Sequence, residues 1–444
     1  EKIIIEAASL NERATALSGH FDPAHLALPE EVLVSVMKKH QRYFPVYHPG
    51  GGLLPNFVAV RNGDEQFLEV VADGNEQVIR ARFADAAFFI SEDMKHKLED
   101  FLPRLDTLVF QVKLGSMLDK TRRIEKLVDK LAAVINLDHE DIQTARRAAH
   151  LCKADLVTHM VIEMTSLQGI MGRHYARLSA EPEAVAKAVF DCYLPRFAGD
   201  DLAQTPAGLL VGIADRLDSL AGLFAAGLAP TGTKDPFAQR RAALGLVQNL
   251  MGWDVHFDLR VGLNAAAESL PFEASAESQA ACLDFIAGRL QNLLIEQGFR
   301  YDVVASVLAE QGHDPAAAYS AAGQLTRWIS DPEWNLILPA YARCVRITRD
   351  QPEIYPINPA GFVEEAETAL LSAILQAENE PRKGGLVDGF FTAFIPMIPV
   401  INRFFDAVMV MVDDPILRTN RLGLLQRVAS LAHGVADFSK LEGF

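Results

Sequence analysis

The spacing of apolar and polar positions changes character once along this chain. In the first 90 residues the pattern is mixed. "NFVAVRN" (56–62) alternates apolar with polar or small residues, as a half-buried strand does. "LPEEVLVSVMKKHQRYFPV" (28–46) reads as a helix that starts at Pro29, carries two glutamates in its first turn and stops near Pro45. From "GNEQVIRARFADAAFFISEDMKHKLEDFLPRL" (74–105) onward the period is helical almost to the end. Breaks fall at Pro103, Gly115, the Gly169/Gly172 pair, "RFAGDDLAQTP", "APTGTKDP", "HFD" and "EIYPINPAG". Near the C-terminus Asp414 suits an N-cap and Pro415 the first helical position. Leu417, Leu424, Val428, Leu431 and Val435 follow as an apolar stripe. The expected fold is therefore mainly α and multidomain, with a small mixed α+β region first. Boundaries are expected after residues 92, 258 and 328, giving segments 1–92, 93–258, 259–328 and 329–444.

Half of the 444 residues are apolar, enough for sizeable cores. The most apolar window, Phe390 to Val412, is interrupted by Pro396, Pro399, Asn402, Arg403 and Asp406, so packed core helices are expected there and no membrane span. Cys152, Cys192, Cys282 and Cys344 form no Cys-x-x-Cys pair, which fits a reducing cytoplasm better than a zinc knuckle. The chain opens on Glu1 inside an apolar-periodic stretch, as expected of a piece of a longer protein.

A formal charge of −16 argues against nucleic-acid binding unless cations cluster locally. They do. Lys38, Lys39, His40 and Arg42 form one group; Arg146, Arg147 and Lys153 another; Arg343, Arg346 and Arg349 a third. The largest local excess is "KLGSMLDKTRRIEKL", with Lys113, Lys120, Arg122, Arg123 and Lys126 against Asp119 and Glu125. Each group could equally be a solvated helix face.

The stretch "HLCKADLVTHMVIEMTSLQGIMGRHYA" (150–176) poses a metal question. On one helix over 151–166, Asp155, His159 and Glu163 would share a face, a spacing that can present ligands to an ion. In "GLLVGIADRLDSLAGLFAAG", Asp215 and Asp218 lie three apart on an apolar helix and need either a cation or basic partners such as Lys153, Arg216 or Arg240. Residues 150–250 resemble a helical HD-phosphohydrolase-type domain, in which a lone His, an adjacent His-Asp pair and a distant Asp hold divalent metal. Where the His-Asp pair would stand, this sequence has Lys153-Ala154-Asp155, and an ammonium has no lone pair to donate. The resemblance thus implies a fold that kept Lys153, Asp155, His159, Asp215 and Asp218 as a degenerate site, with no metal.

A second resemblance covers most of the chain. "KHQRYFPVYHPGGGLLPNFVAVRNG", "GNEQVIRARFADAAFF", "KLEDFLPRLDTLVFQVKLGSMLDKTRRIEKL", "KADLVTHMVIEMTSLQGIMGRHYA", "PRFAGDDL", "IADRLDSLAGLFAAG", "KDPFAQRRAALG" and "FFDAVMVMVDDPILRTNRLGLL" look like the β subunit of the bacterial two-subunit glycyl-tRNA synthetase, over its C-terminal two thirds. The resemblance implies a heterotetramer of two α and two β subunits. In it the α subunit joins glycine to tRNA with ATP and magnesium, and the β subunit binds tRNA-Gly. No catalytic residue, cofactor, membrane or DNA contact is then expected of this chain. The absence of a Walker loop or a Gly-x-Ser-x-Gly elbow agrees.

The last 110 or so residues resemble the helical anticodon-binding domain of arginyl-tRNA synthetase. There Arg418 and Arg421 could meet phosphates or unpaired bases, or could brace two helices through Asp406, Asp413 or Asp414. Arg343 and Arg346 sit one turn apart, with Tyr341 as a candidate stacking ring. Lys113, Lys120, Arg122 and Arg123 would suit backbone contacts to the acceptor arm or elbow. The competing expectation is a metal-dependent phosphohydrolase built on Asp155, His159, Asp215 and Asp218. A helical docking scaffold has no solenoid period to support it.

Overall fold

The computed structural model describes residue 9 and residues 11–135, 137–380 and 386–444. The chain is mainly α-helical and divides into two compact units, residues 1–218 with 269–272, and residues 219–268 with 273–444.

In the first unit, strands β1 (Ala14–His20), β2 (Phe44–Tyr47) and β3 (Leu53–Asn62) form an antiparallel sheet in the order β1-β3-β2. The "NFVAVRN" alternation is borne out: Phe57 and Ala59 are buried, and Leu17 pairs with Ala59 from β1. Gly19 pairs with Phe57, whose ring occupies the space a Cβ at Gly19 would need. Helix α1 (Glu30–Val36) ends earlier than expected, in a π-turn over Met37–Gln41 closed by Arg42 at φ 54°. Pro45 lies inside β2, so the segment expected to be the helix's end is strand.

Helix α2 (Leu68–Asp93) buries Ile79, Phe83, Ala86, Ile90 and Asp93, a stripe at steps of four and three. Its Phe83 meets Phe21 edge-on at 4.9 Å between ring centres. After it, Pro103 is accommodated in a 3₁₀ stretch (Leu98–Thr107). A short hairpin of β4 (Val109–Gln111) and β5 (Gly115–Ser116) then stands where a helical period was expected. Gly115 at φ +84° explains the departure, since it turns the chain back just before α3 (Met117–Ile135). Helix α3 packs on α4 (His139–Leu151), α4 on α7 (Glu183–Asp191), and α7 on α6 (Ile170–Leu178).

The stretch expected as one helix over 151–166 is broken. Residues Ala154–Val157 form a 3₁₀ turn, Thr158 is extended at ψ 153° and caps α5 (His159–Glu163) by accepting from Val161 N. Asp155, His159 and Glu163 therefore do not share a helix face. This unit ends within α8 (Pro206–Ala225).

The regular elements of the second unit are helices among its described residues, apart from one isolated bridge between Thr231 and Lys234, and α9 (Gln239–Gly252) packs on α11 (Ala276–Glu296) and α13 (Pro315–Ile329). Short α10 (Leu259–Ala267) lies against α11, and α12 (Tyr301–Gln311) against α13. Further on, α14 (Trp334–Thr348) packs on α18 (Pro415–Ser430), and α15 (Glu365–Asn379) on α17 (Ile398–Ala407). The rings of Tyr341, Phe390, Phe391, Phe394 and Phe438 form an aromatic core. The segment Val387–Ala407 is long and apolar enough to cross a membrane by length and composition. Here it consists of α16 (Val387–Phe394), a 3₁₀ turn and α17, and buries Phe390, Phe391, Phe394, Met397, Ile401 and Phe404 within the unit, as a core helix does.

Candidate functional site

The helices of the first unit gather Lys153, Asp215 and Asp218 of the expected degenerate site, with Lys120 and Arg123 of the expected tRNA face, into a buried ionic centre. From α3 come Lys120 and Arg123, from the end of α4 comes Lys153, and from α8 come Asp215 and Asp218. Lys153 Nζ lies 2.8 Å from Asp215 Oδ2, and Lys120 Nζ lies 2.8 Å from Asp215 Oδ1 and 3.0 Å from Asp218 Oδ2. Arg123 Nε donates to Asp218 Oδ1 at 2.6 Å. All four carboxylate oxygens thus face nitrogen cations. Burial works to push the Asp215 carboxyl up, but Lys120 and Lys153 hold it well below the ordinary range. Burial likewise disfavours the Lys153 ammonium, and the Asp215 carboxylate outweighs it, keeping that amine charged. The ammonium also sits 4.2 Å from the centre of the Tyr193 ring.

Neighbouring groups complete the centre without adding ligands. Asp155 is fully buried and its Oδ2 accepts from Gly169 N (2.6 Å) and Gly172 N (3.0 Å), while Oδ1 meets no hydrogen-bond partner. Burial raises this carboxyl to about 6, the two glycine N–H groups and Lys153 opposing. Arg216, expected as a possible partner for the aspartates, instead donates to the carbonyls of Cys192 (3.0 Å), Tyr193 (3.2 Å) and Leu194 (2.7 Å), closing the loop after α7. His159 turns away to Asp93, whose Oδ1 meets its ring Nδ1 at 2.8 Å and accepts from its backbone N at 2.8 Å; Asp93 Oδ2 accepts from Met160 N and Tyr175 Oη.

A divalent ion does not fit this arrangement. The ligand oxygens are neutralised by Lys120, Lys153 and Arg123, and the one imidazole nearby is held by Asp93. No group of three or more His, Cys, Asp or Glu side chains suited to a metal occurs among the described residues.

The basic candidates divide by burial. Lys120 and Arg123, expected on a tRNA face, are 3% and 6% exposed and hold the ionic centre together, which corrects that expectation. Lys113, Arg122 and Lys126 remain at the surface. Arg147 pairs with Glu99 and Glu181, and Arg146 with Asp129. In the second unit Arg343 and Arg346 are exposed on α14, their guanidinium carbons 4.2 Å from the Phe405 ring centre and 5.5 Å from that of Phe444. Tyr341 is no stacking surface: it is buried and donates to Ala429 O at 2.9 Å. Arg418 is half-buried and reaches Val412 O. Arg421 braces two helices, but through buried Glu367 of α15 at 2.7 Å rather than a neighbouring aspartate. Asp414 caps α18 as expected, accepting from Ile416 N at 2.8 Å. The side chain of His40 lies outside what is described.

Two carboxylates that organise these sites, Asp93 and Glu367, were not singled out from the sequence. The signal was present, since each occupies an apolar stripe: Asp93 follows Ile79, Phe83, Ala86 and Ile90, and Glu367 precedes Leu370 and Ile374.

Known proteins give this geometry a context. A family described as "Glycyl-tRNA synthetase beta subunit" matches residues 1–309. The glycine–tRNA ligase beta subunit of Moorella thermoacetica is 41% identical over 451 residues, covering 99% of this chain, and that of Clostridioides difficile is 42% identical over 447 residues. The chloroplastic/mitochondrial glycine–tRNA ligase 2 of Arabidopsis thaliana is 38% identical over 446 residues, covering 42% of the plant protein. The chain spans 65% of the Moorella protein's length and 64% of the Clostridioides one. All three relatives are tRNA ligases or subunits of one. The chain belongs to the glycyl-tRNA synthetase beta subunit family.

Proposed function

We propose that this chain is the tRNA-handling portion of the β subunit of a cytoplasmic glycine–tRNA ligase. The observation that carries this reading is the match at about 40% identity over 99% of the chain. In this reading two α and two β subunits assemble, and glycine, ATP and magnesium are handled by the α subunit. This chain holds tRNA-Gly by its acceptor arm and anticodon. Residues 93–258 serve as the HD-like domain and 329–444 as the anticodon-binding domain. The exposed cations Lys113, Arg122, Arg343 and Arg346, with half-buried Arg418, are the residues on which such contacts would rest. Lys120, Arg123 and Arg421 would act beneath the surface, as supports.

Binding of the chain to tRNA-Gly and to a non-cognate tRNA across a salt series, with metal content determined on the same sample, tests this. Salt-sensitive binding that prefers tRNA-Gly, without stoichiometric metal, is the expected outcome. Bound manganese or zinc without tRNA preference would overturn it in favour of metal-dependent phosphoester hydrolysis.

A further inference from the structure

We propose that the cleft between the β4–β5 hairpin and helix α3 seats consecutive phosphates of an RNA backbone; this deepens, and rests on, the tRNA reading above. The cleft has a volume of about 400 Å³ and is lined by Lys113, Arg122, Arg123 and Lys126, with Asp119 as its carboxylate. Three of those cations are at the surface. Lys113 comes from the hairpin turn, while Arg122 and Lys126 lie four residues apart, on successive turns of α3. Cations from two elements thus line one open cleft, and two of them step along a helix by one turn, which suits successive phosphates of one strand. On a protein of net charge −16, this is a local reversal of sign.

The cleft is built, not merely charged. The Gln111 side chain accepts from Lys113 N (2.6 Å) and Leu114 N (3.2 Å), fixing the turn that presents Lys113. Asp119 spends its Oδ2 on Ser116 N (2.9 Å) and Ser116 Oγ (3.0 Å), and those bonds hold its carboxyl below the ordinary range. Its other oxygen is 3.8 Å from Arg122 Nη1, so Arg122 is only loosely engaged. Arg123 is buried and joins the cleft to the ionic centre behind it, donating to Leu114 O (2.8 Å) through Nη1 and to Asp218 through Nε. That centre sets Lys120, Arg123 and Lys153 around the carboxylates of Asp215 and Asp218, and so fixes the Arg123 guanidinium at the back of the cleft. Arg123 is thus a positioning residue.

The test uses the full chain, tRNA-Gly and a salt series. The K113E/K126E double variant should raise Kd at least about tenfold at 0.1 M salt and flatten the log Kd against log salt slope by about two, with an unchanged melting curve. The neutral variant K113Q/K126Q should move both readouts in the same direction and guards against a folding defect. Val112, 88% exposed at the hairpin tip, gives a direct probe: a photo-crosslinker placed there should join to tRNA. If the wild type binds tRNA-Gly but the variants keep its affinity and slope and Val112 gives no crosslink, the cleft proposal falls and the tRNA reading stands. If the wild type does not bind tRNA, both fall. A crosslink from Val112 to an added acidic polypeptide, with none to tRNA, would assign the cleft to a protein partner and also overturn the proposal.

Discussion

The Lys153 ammonium sits 2.8 Å from Asp215 Oδ2, supplying from within the chain the positive charge that a buried carboxylate requires. Lys120 lies on the other oxygen of the same carboxylate and also reaches Asp218. Two ammonium groups therefore neutralise the carboxylates from within the chain. Chelation should leave the melting temperature unchanged, and added manganese or zinc should not raise it. Lys153→His alone should not create a metal site, because Lys120 still spans both aspartates. A melting temperature that rises with metal concentration in the wild type would contradict this assignment.

Asp218 is the keystone of the same centre, 1% exposed and engaged by Lys120 and by Arg123. Asp218→Ala leaves a buried guanidinium without its counter-charge. Removing one partner of a buried pair costs roughly 3–5 kcal/mol. Urea unfolding of the variant should show a loss in that range. A loss below about 1 kcal/mol would mean that water reaches Arg123 and the centre is not closed.

Asp155 should make stability depend on pH in the opposite sense to an ordinary paired carboxylate. Its folded-state value of about 6 lies above the roughly 3.9 of an unfolded aspartate, so the folded chain binds more protons between them. The contribution is fully present below about pH 4 and is lost as pH rises through 6. By neutral pH the loss amounts to roughly 2–3 kcal/mol. Asp155→Asn should therefore gain stability relative to the wild type as pH goes from 5 to 7. Parallel stability curves for the two proteins would show that the Gly169 and Gly172 N–H groups already stabilise the ionised form.

The helical body of the chain was legible from period alone, and so were β3 and the Asp414 cap, because each rests on local spacing and capping chemistry. The stretch 150–176 was legible in its residues but not in its geometry. The Thr158 hydroxyl donates to Asp155 O and accepts from Val161 N within an apolar run, and a break of that kind leaves no mark on the hydrophobic pattern. The basic run at Lys113 to Lys126 shows the same limit. Helix position put Lys120 and Arg123 inward and Arg122 and Lys126 outward, but their partners, Asp215 and Asp218, lie more than 90 residues away. Asp93 and Glu367 were missed because an acidic residue on an apolar stripe reads as an interruption until its partner, His159 or Arg421, is placed beside it.

Two arginines of the second unit should separate support from contact. Arg421 is 6% exposed, pairs with fully buried Glu367 at 2.7 Å and donates to Met409 O at 2.8 Å, so Arg421→Ala should destabilise the chain by roughly 3–5 kcal/mol. Arg343 is exposed, and its guanidinium carbon lies 4.2 Å from the centre of the Phe405 ring. Arg343→Ala should change stability by less than about 1 kcal/mol, since its contact is a surface one. If the anticodon-binding reading is right, the same change should weaken tRNA-Gly binding by about 1–2 kcal/mol, near tenfold, the scale of one stacked base. Urea unfolding and tRNA binding measured on both variants give four values. A stable Arg343→Ala chain with unaltered tRNA affinity would remove this face from the interface, and an Arg421→Ala chain as stable as the wild type would show that α15 and α18 hold together without their ion pair.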